Sequence, residues 1–349
     1  MLQHNRMQMH KLLSVSFAMA LTCLAVSGIP PKKVKANSVS VNCDDVEELR
    51  LDGKSIASIK IGITESATDA LFHGDKIILR FKNSVTAYDL STGDSLFSYS
   101  RKGRRDDEFT DISDVWLAGD VLEIYDFNST KILRFDANTG IILEIMKHND
   151  LDAERFISLR WDEKNHRFIG SRTYNPAEKI PDLAVYDQSH RFVNKIDSPV
   201  KKSGFFLSVS PITPSESGRI LYHQPFKSVV YEVSGMKLNP VYLIDFGSKN
   251  MPKSVVEGEE GKAMQFWMEN QDKHALLMDI MESKDVLYLK YMFNKKSFLV
   301  RYDRTSGRTK VYRFLPKGGM VVYSKGTVYV IANEDDGTVI YKIPAERLG

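Results

Sequence analysis

An internal repeat of short apolar strands and Gly-containing turns runs along the chain. Its clearest copies are GDKIILRFKNSVTAYDLSTGDSLFSYS from Gly74 and GDVLEIYDFNSTKILRFDANTGIILEIMK from Gly119, 45 positions further on. Each copy holds a strand, a gap, a second strand ending in Tyr-Asp or Phe-Asp, a Gly turn and a third strand. A period of roughly 40 to 50 residues with several strands is typical of a β-propeller. The repeat therefore predicts an all-β fold built from radial blades.

The number of strands predicts the number of blades. With the strands of a blade lettered a to d from the axis outwards, the sequence contains six b and six c candidates but only five d candidates. The segment SIASIKIGIT, from Ser55, is strand-like and precedes the first blade. Because an open blade edge would leave backbone groups unpaired, we expect this segment to complete the last blade. We predict one six-bladed propeller of four-stranded antiparallel blades over residues 55–349, closed by an N-terminal strand and preceded by an extension at 37–54.

The innermost strand, a, has the weakest pattern in every blade. Its candidates begin at Ala70, Asp114, Phe156, Phe205, Ala275 and Met320.

Residues 1–36 have the pattern of an export signal and a cleaved or flexible leader. Arg6 and Lys11 precede an apolar run at 12–25, which suits a secretory signal and is short for a membrane span. Cys23 leaves open a lipidated N-terminus, and an uncleaved anchor is a third alternative. Each alternative predicts an exported protein of the periplasm or cell surface, with membrane contact only through such a lipid or anchor.

Net charge gives no reason to expect a nucleic-acid partner. The formal charge is +3, and five of the cations lie before Asn37, so the remaining chain carries −2. With Cys23 in the leader, Cys43 has no cysteine partner, and we expect stability to come from a large apolar core.

An insertion at about 249–273 separates blades four and five. It carries Met264, Trp267 and Met268 at helical spacing, which predicts an apolar helix stripe. Two interpretations remain open: a helix packed on the propeller surface, or a lid over one mouth of the central channel.

Three segments resemble a known family. They are the charged turn at Lys102–Phe109, the segment Asp126–Asp136 and the element Tyr242–Gly247. Together they resemble the six-bladed β-propeller family of exported bacterial proteins related to NHL-repeat propellers, many of which are predicted lipoproteins. The resemblance implies the fold and export, and it implies no agreed activity.

The densest polar cluster is the turn from Arg101 to Glu108. In a propeller the d–a and b–c loops emerge on one face, so this d–a turn should lie near the b–c turn of blade two. Arginine pairs grip carboxylate or phosphate groups. The alternative is a solvated turn whose charges pair with one another. The candidate ligand-binding residues are Arg104, Arg105, Asp106, Asp107, Asp126 and Asn128.

Motifs for catalysis are absent from the sequence. It contains no H-E-x-x-H zinc motif and no G-x-S-x-G nucleophile elbow. Calcium is the one cofactor we consider, because carboxylates and amides fall in predicted channel-mouth loops. We therefore predict a non-catalytic binding or scaffold propeller that recognises an envelope or extracellular protein, peptide or glycan. The alternative is a calcium-dependent lactonase- or esterase-like hydrolase, or a lyase, that uses the central channel.

Overall fold

The computed structural model describes residues 36–52, 56–147, 156–172, 183–196, 211–224, 226–257, 262–315, 319–335 and 337–349. In these ranges the strands form six sheets, and the innermost strands of neighbouring sheets contact one another around a common axis. The predicted all-β fold of six four-stranded antiparallel blades is confirmed.

Blades one to three are each formed by four consecutive strands. Blade one contains β4 (Asp69–His73), β5 (Lys76–Arg80), β6 (Val85–Asp89) and β7 (Ser95–Tyr99). Blade two contains β8 (Asp114–Ala118), β9 (Val121–Asp126), β10 (Lys131–Asp136) and β11 (Ile142–Met146). Blade three contains β12 (Phe156–Asp162), β13 (Arg167–Arg172), β14 (Leu183–Tyr186) and β15 (Phe192–Ile196).

Blades four to six each recruit one strand from the N-terminal segment. Blade four contains β16 (Ile212–Pro214), β17 (Ile220–His223), β18 (Val229–Ser234) and β19 (Lys237–Asp245), with β1 (Asn37–Ser40) parallel to β19. Blade five contains β20 (Leu276–Glu282), β21 (Val286–Phe293), β22 (Lys296–Asp303) and β23 (Thr309–Leu315), with β2 (Val46–Arg50) parallel to β23. Blade six contains β24 (Met320–Ser324), β25 (Thr327–Glu334), β26 (Gly337–Pro344) and β3 (Ala57–Ile61).

Ring closure by an N-terminal strand is confirmed, since β3 is antiparallel to β26 in the outermost position of blade six. The extension at 37–54 contributes two further strands that the sequence did not predict. Both β1 and β2 are short and largely polar, so they lack the apolar alternation by which strands are recognised. The predicted inner strand of blade four, from Phe205, lies outside the described residues, and the described inner strand there is β16.

The repeated Asp at the end of strand c closes the turn to strand d. Asp89 accepts hydrogen bonds from the amides of Ser91 (2.7 Å) and Thr92 (2.9 Å). Asp136 and Asp303 accept the same pair of amides in blades two and five. A hydrogen bond from the Ser91 hydroxyl, together with the bonds from the two amides, lowers the pKa of Asp89 to about 2. The amide and hydroxyl donors of the equivalent turns also lower the pKa of Asp136 and Asp303. The aromatic residue before each Asp is buried between blades: Tyr88, Phe135 and Tyr302.

A buried ionic network joins blades four and five. The Glu282 carboxylate is fully buried and accepts hydrogen bonds from the Arg219 guanidinium and the Tyr242 hydroxyl. Arg304 lies 3.7 Å from the same carboxylate. Burial and the bond to Glu282 raise the pKa of Tyr242 to about 12, so the phenol stays protonated and donates.

Two short helices lie between β19 and β20: α1 (Lys253–Val256) and α2 (Lys262–Glu269). Single 3-10 turns occupy Glu163–Asn165, Gly247–Lys249 and Ala345–Leu348. Within the part of the chain that the structure describes, no helix is long and apolar enough to cross a bilayer.

Candidate functional site

One face of the ring, which we call the upper face, carries the d–a and b–c connections. It includes the β7–β8 connection at 100–113, the β9–β10 turn at 127–130 and the helical insertion between β19 and β20. The candidate ligand-binding and lid residues belong to this face or to the strand ends that support it, whereas Cys23 lies outside the described residues.

The backbone of the charged turn is held from below. Lys131 is almost completely buried, and its ammonium donates hydrogen bonds to the carbonyls of Arg105 (3.0 Å) and Glu108. The Tyr99 hydroxyl donates to the Asp107 carbonyl. These bonds come from two strands, β7 and β10, so the turn has a defined shape relative to the sheet.

The acidic side chains of the turn are paired. Asp107 lies 2.6 Å from the Arg101 guanidinium, and Asp106 lies 2.7 Å from the Lys147 ammonium. The bond to Lys147 lowers the pKa of Asp106. Arg105 is 84% exposed, and its Nε is 3.8 Å from Glu108. Arg104 is exposed and makes no hydrogen bond or ion pair with the described residues. The turn is therefore partly self-paired, with two guanidinium groups facing solvent.

Asp126 anchors the turn from inside the blade. Its fully buried carboxylate accepts hydrogen bonds from the Thr110 amide (2.6 Å) and the Ser129 amide (3.1 Å). Burial disfavours the charged form, but the bonds from Ser129 and Thr110 outweigh it and lower the pKa of Asp126. Neighbouring Asn128 is exposed. In this structure Asp126 positions the loop, and Asn128 is the member of the pair that solvent reaches.

The helical insertion packs through one side of α2. Met264 and Trp267 are buried with Phe226, whereas Met268 is 62% exposed. Leu276, at the start of the inner strand β20, belongs to the same apolar cluster. Two of the three residues of the predicted stripe therefore pack on blades four and five, Met268 does not, and the lid remains a prediction.

A second candidate site, which the sequence did not indicate, lies on the inner strands. Asp69, Asp114 and Asp279 belong to β4, β8 and β20, and each accepts a hydrogen bond from the amide of the next residue, at 2.8 to 2.9 Å. Arg160, from the inner strand β12, donates to Asp114 at 2.8 Å. These four side chains form the channel cluster, which faces the axis of the ring.

Only one of the three carboxylates in the channel cluster has an ion-pair partner. Asp114 is paired with Arg160, whereas neither Asp69 nor Asp279 has a described cation within ion-pair distance. Arg80, the cross-strand neighbour of Asp69, donates to the Ser113 carbonyl and the Thr68 hydroxyl instead. Asp69 and Asp279 are both half-buried residues.

Burial shifts the pKa values of Asp69, Asp279 and Lys290. Burial raises the pKa of Asp279 to about 6, although the neighbouring Lys290 ammonium acts in the opposite direction. Burial also raises the pKa of Asp69, against the attraction of Arg160. The pKa of Lys290 is lowered because its ammonium is largely desolvated, with Asp279 opposing the effect. Strongly perturbed groups that line a channel are candidates for binding or proton transfer.

The described residues contain no group of three His, Cys, Asp or Glu side chains arranged to hold a metal ion. Calcium binding therefore remains an untested prediction, for which the described residues provide no cluster of ligands.

Comparisons with known proteins agree with the fold. A presumed exported protein from Bacteroides fragilis superposes with a TM-score of 0.67 at 12% identity, covering 88% of this chain and 99% of that one. The structure of U3-55K superposes with a TM-score of 0.50 at 11% identity, over 81% of this chain and 97% of that one. At such identities the likeness concerns the fold alone. No curated protein matches the sequence.

The predicted membership of a family of six-bladed propellers is confirmed by a family profile. The match extends over residues 63–348, from the loop before the first blade to the last turn of the chain. The protein therefore belongs to the family described as a domain of unknown function, DUF4934.

Proposed function

We propose that the protein is an exported, non-catalytic binding propeller that recognises an acidic group of a protein, peptide or glycan ligand on its upper face. The observation that supports it is the charged turn, where a backbone held by Lys131 and Tyr99 presents two exposed guanidinium groups. A site whose backbone is already ordered loses little conformational freedom when its ligand binds.

The chemistry of the turn favours an anionic ligand group. Asp106 and Asp107 are neutralised by Lys147 and Arg101, so the charge left unmatched at the tip is that of Arg104, with Arg105 loosely paired. A guanidinium offers two parallel donors to a carboxylate or phosphate. Export is supported by the apolar run after Arg6 and Lys11 and by the likeness to a presumed exported protein.

The test is partner capture with a double variant and a charge-matched control. Arg104→Ala with Arg105→Ala removes both guanidiniums from the upper face. Arg308→Ala with Lys325→Ala removes two exposed cations from c–d and a–b turns on the opposite face. Tagged wild-type and variant proteins would be used to capture partners from the native envelope fraction. We expect the first variant to lose a partner that the second retains, with at least a tenfold drop in affinity for the purified partner. Identical capture by all three proteins would refute the assignment of the turn.

The calcium-dependent alternative has its own measurement. Thermal unfolding of the exported chain would be compared in calcium and in chelator. If the protein binds calcium, a calcium concentration of about 100 times the Kd should raise the Tm by several degrees. Such a rise would justify a screen of lactone and ester substrates.

A further inference from the structure

The outermost strands of blades one to four share a β-bulge. In each blade one residue of strand d is skipped in the pairing with strand c, directly before the aromatic residue of strand c. The skipped residues are all apolar: Leu96, Leu143, Val193 and Val241. The first three are 45%, 56% and 53% exposed, whereas Val241 is only 9% exposed. The same apolar position is therefore covered in blade four and open in blades one to three.

The N-terminal strand β1 lies against this position in blade four. It pairs in parallel with β19 from Tyr242 onwards, directly after the bulge. Val39 and Val41 of the N-terminal segment are buried in the same apolar cluster as Val241. Bulges are one means by which proteins protect an edge strand from further pairing. The pairing of β1 shows that the bulge of this repeat nevertheless admits a parallel strand.

Among the open edges, that of β11 in blade two is the most apolar. No described strand pairs with its outer side. Ile141, directly before β11, and Leu143 within it are 62% and 56% exposed. The charge of Glu144 on the same strand is matched by an ion pair with Arg134. By contrast, β15 of blade three carries the exposed Lys195, and lysine at an edge discourages the addition of a strand.

The C-terminal end of β11 meets the charged turn. Strand d runs from the face of the c–d turns to the upper face, and Lys147, directly after β11, lies 2.7 Å from Asp106. Arg104 and Arg105, beside Asp106 in the turn, are exposed. A strand added in parallel to β11 would therefore end next to two guanidinium groups.

We propose that β11 binds an extended peptide segment of a partner protein as a parallel fifth strand of blade two, with acidic residues at the C-terminal end of that segment contacting Arg104 and Arg105. This rests on the proposed function of the charged turn and narrows its ligand to a peptide. The segment carries two apolar residues two positions apart, like Val39 and Val41, because alternate residues of a strand face the same side. Backbone hydrogen bonds supply affinity in this mode of recognition, and the side chains supply specificity.

A peptide copied from the N-terminal segment is the probe. The sequence at 36–45, with Cys43→Ser and an amidated C-terminus, keeps both valines and ends in two aspartates. Binding of the labelled peptide to the exported chain would be measured by fluorescence anisotropy. In the folded protein the Val41 amide donates to the Asp245 carbonyl at 2.8 Å, whereas the Ser40 carbonyl faces away from β19 and accepts from Thr309.

Methylation of single backbone amides tests whether the peptide binds as a strand. N-methylation at Val41 removes a donor that strand pairing uses and keeps the side chain, and N-methylation at Ser40 is the matched control. We expect the first modification to weaken binding at least tenfold and the second to leave it unchanged. Equal affinity of all three peptides, or no binding of the unmodified peptide, would overturn the proposal.

Leu143→Lys locates the binding on blade two. The new cation attracts an acidic peptide but obstructs strand addition at an edge, so weaker binding reports the obstruction and not the charge. Val193→Lys is the matched control, because Val193 has the bulge position of blade three. We expect Leu143→Lys to weaken binding at least tenfold and Val193→Lys to leave it unchanged. Unchanged binding to Leu143→Lys, as when the peptide displaces β1 from blade four, or equal weakening by both variants, would overturn the proposal.

The double variant Arg104→Ala with Arg105→Ala separates this proposal from the proposed function. We expect it to weaken binding of the peptide but not of a peptide with Asp44→Asn and Asp45→Asn, which lacks the anionic end. If Leu143→Lys weakens binding and the double variant does not, the role of the charged turn fails and strand addition to β11 stands. If the double variant loses its partner in capture and no peptide binds, the proposed function stands and strand addition fails.

Discussion

Replacing Asp279 by Asn should stabilise the protein at neutral pH, because it removes a charge that desolvation makes unfavourable in the folded state. The folded-state pKa of Asp279 is raised from 3.8 to about 6, a shift of about two units, and each unit corresponds to about 1.4 kcal/mol. The full shift gives about 3 kcal/mol, which partial access of channel water reduces to about 2 kcal/mol. At about 2 cal/mol/K of unfolding entropy per residue, that is a rise of about 3 °C in Tm.

The pH dependence has a definite sign. Because the folded pKa lies above the unfolded value, the folded protein binds this proton more tightly, and the stability that it contributes is lost as pH rises through about 6. Wild type and Asp279→Asn should therefore unfold at similar urea concentrations near pH 4. Their midpoints should separate as the pH approaches 7 and stay apart above it.

Asp114→Asn is the matched control for this measurement. Asp114 has the same local geometry on the inner strand of blade two, but its carboxylate is paired with Arg160, whose side chain is only 11% exposed. Removing one partner of such a pair should cost about 3 kcal/mol. Opposite signs for the two variants are expected in urea unfolding at pH 7.5. Equal destabilisation by both would show that Asp279 is compensated in the folded state, and the reasoning would fail.

Three further predictions test the fold. Glu282→Gln leaves two arginines without their buried partner, so the free energy of unfolding should fall by about 3 kcal/mol and the Tm by about 5 °C. An unchanged Tm in thermal unfolding would show that the network contributes nothing to stability. Gly140→Ala should destabilise more than Gly307→Ala in urea unfolding. Both glycines have φ of +72°, which costs an alanine about 1–2 kcal/mol, but only at Gly140 would the new Cβ collide with a side chain, that of Phe97. Ile61→Ala in the closing strand should cost about 3 kcal/mol within one cooperative transition; a separate early transition would show that blade six opens alone.

The fold could be predicted because the outer strands carry their own pattern. Strand c ends in an aromatic residue and an Asp because the ring fills the space between blades and the carboxylate caps the following turn, as at Tyr88 and Asp89. Features with such local causes can be recognised from a short segment of the sequence. The missing outermost strand could be inferred because a blade edge needs a partner, and β3 is that partner.

The channel cluster could not be predicted in the same way. Asp279 lies between Met278 and Ile280 in the inner strand LLMDIME, and Asp69 is the first residue of the inner strand DALFH. Nothing in either segment shows that both residues belong to inner strands of the same ring, since that depends on how blades one, five and six assemble. The charged turn could be recognised because its charges are consecutive. The role of Asp126 could not, because it depends on hydrogen bonds from Thr110, which is 16 positions away in the sequence.

The N-terminal strands have a consequence for the order in which the chain can fold. Residues 37–61 complete blades four, five and six, and the Thr338 hydroxyl bonds the Ile63 carbonyl across 275 positions. Thus β1, β2 and β3 gain their partners β19, β23 and β26 only after most of the intervening chain has been synthesised. Contacts of such long separation form slowly and leave strand edges exposed meanwhile. Closure of the ring is therefore expected to be a late step of folding, because it joins segments that lie about 280 positions apart in the sequence.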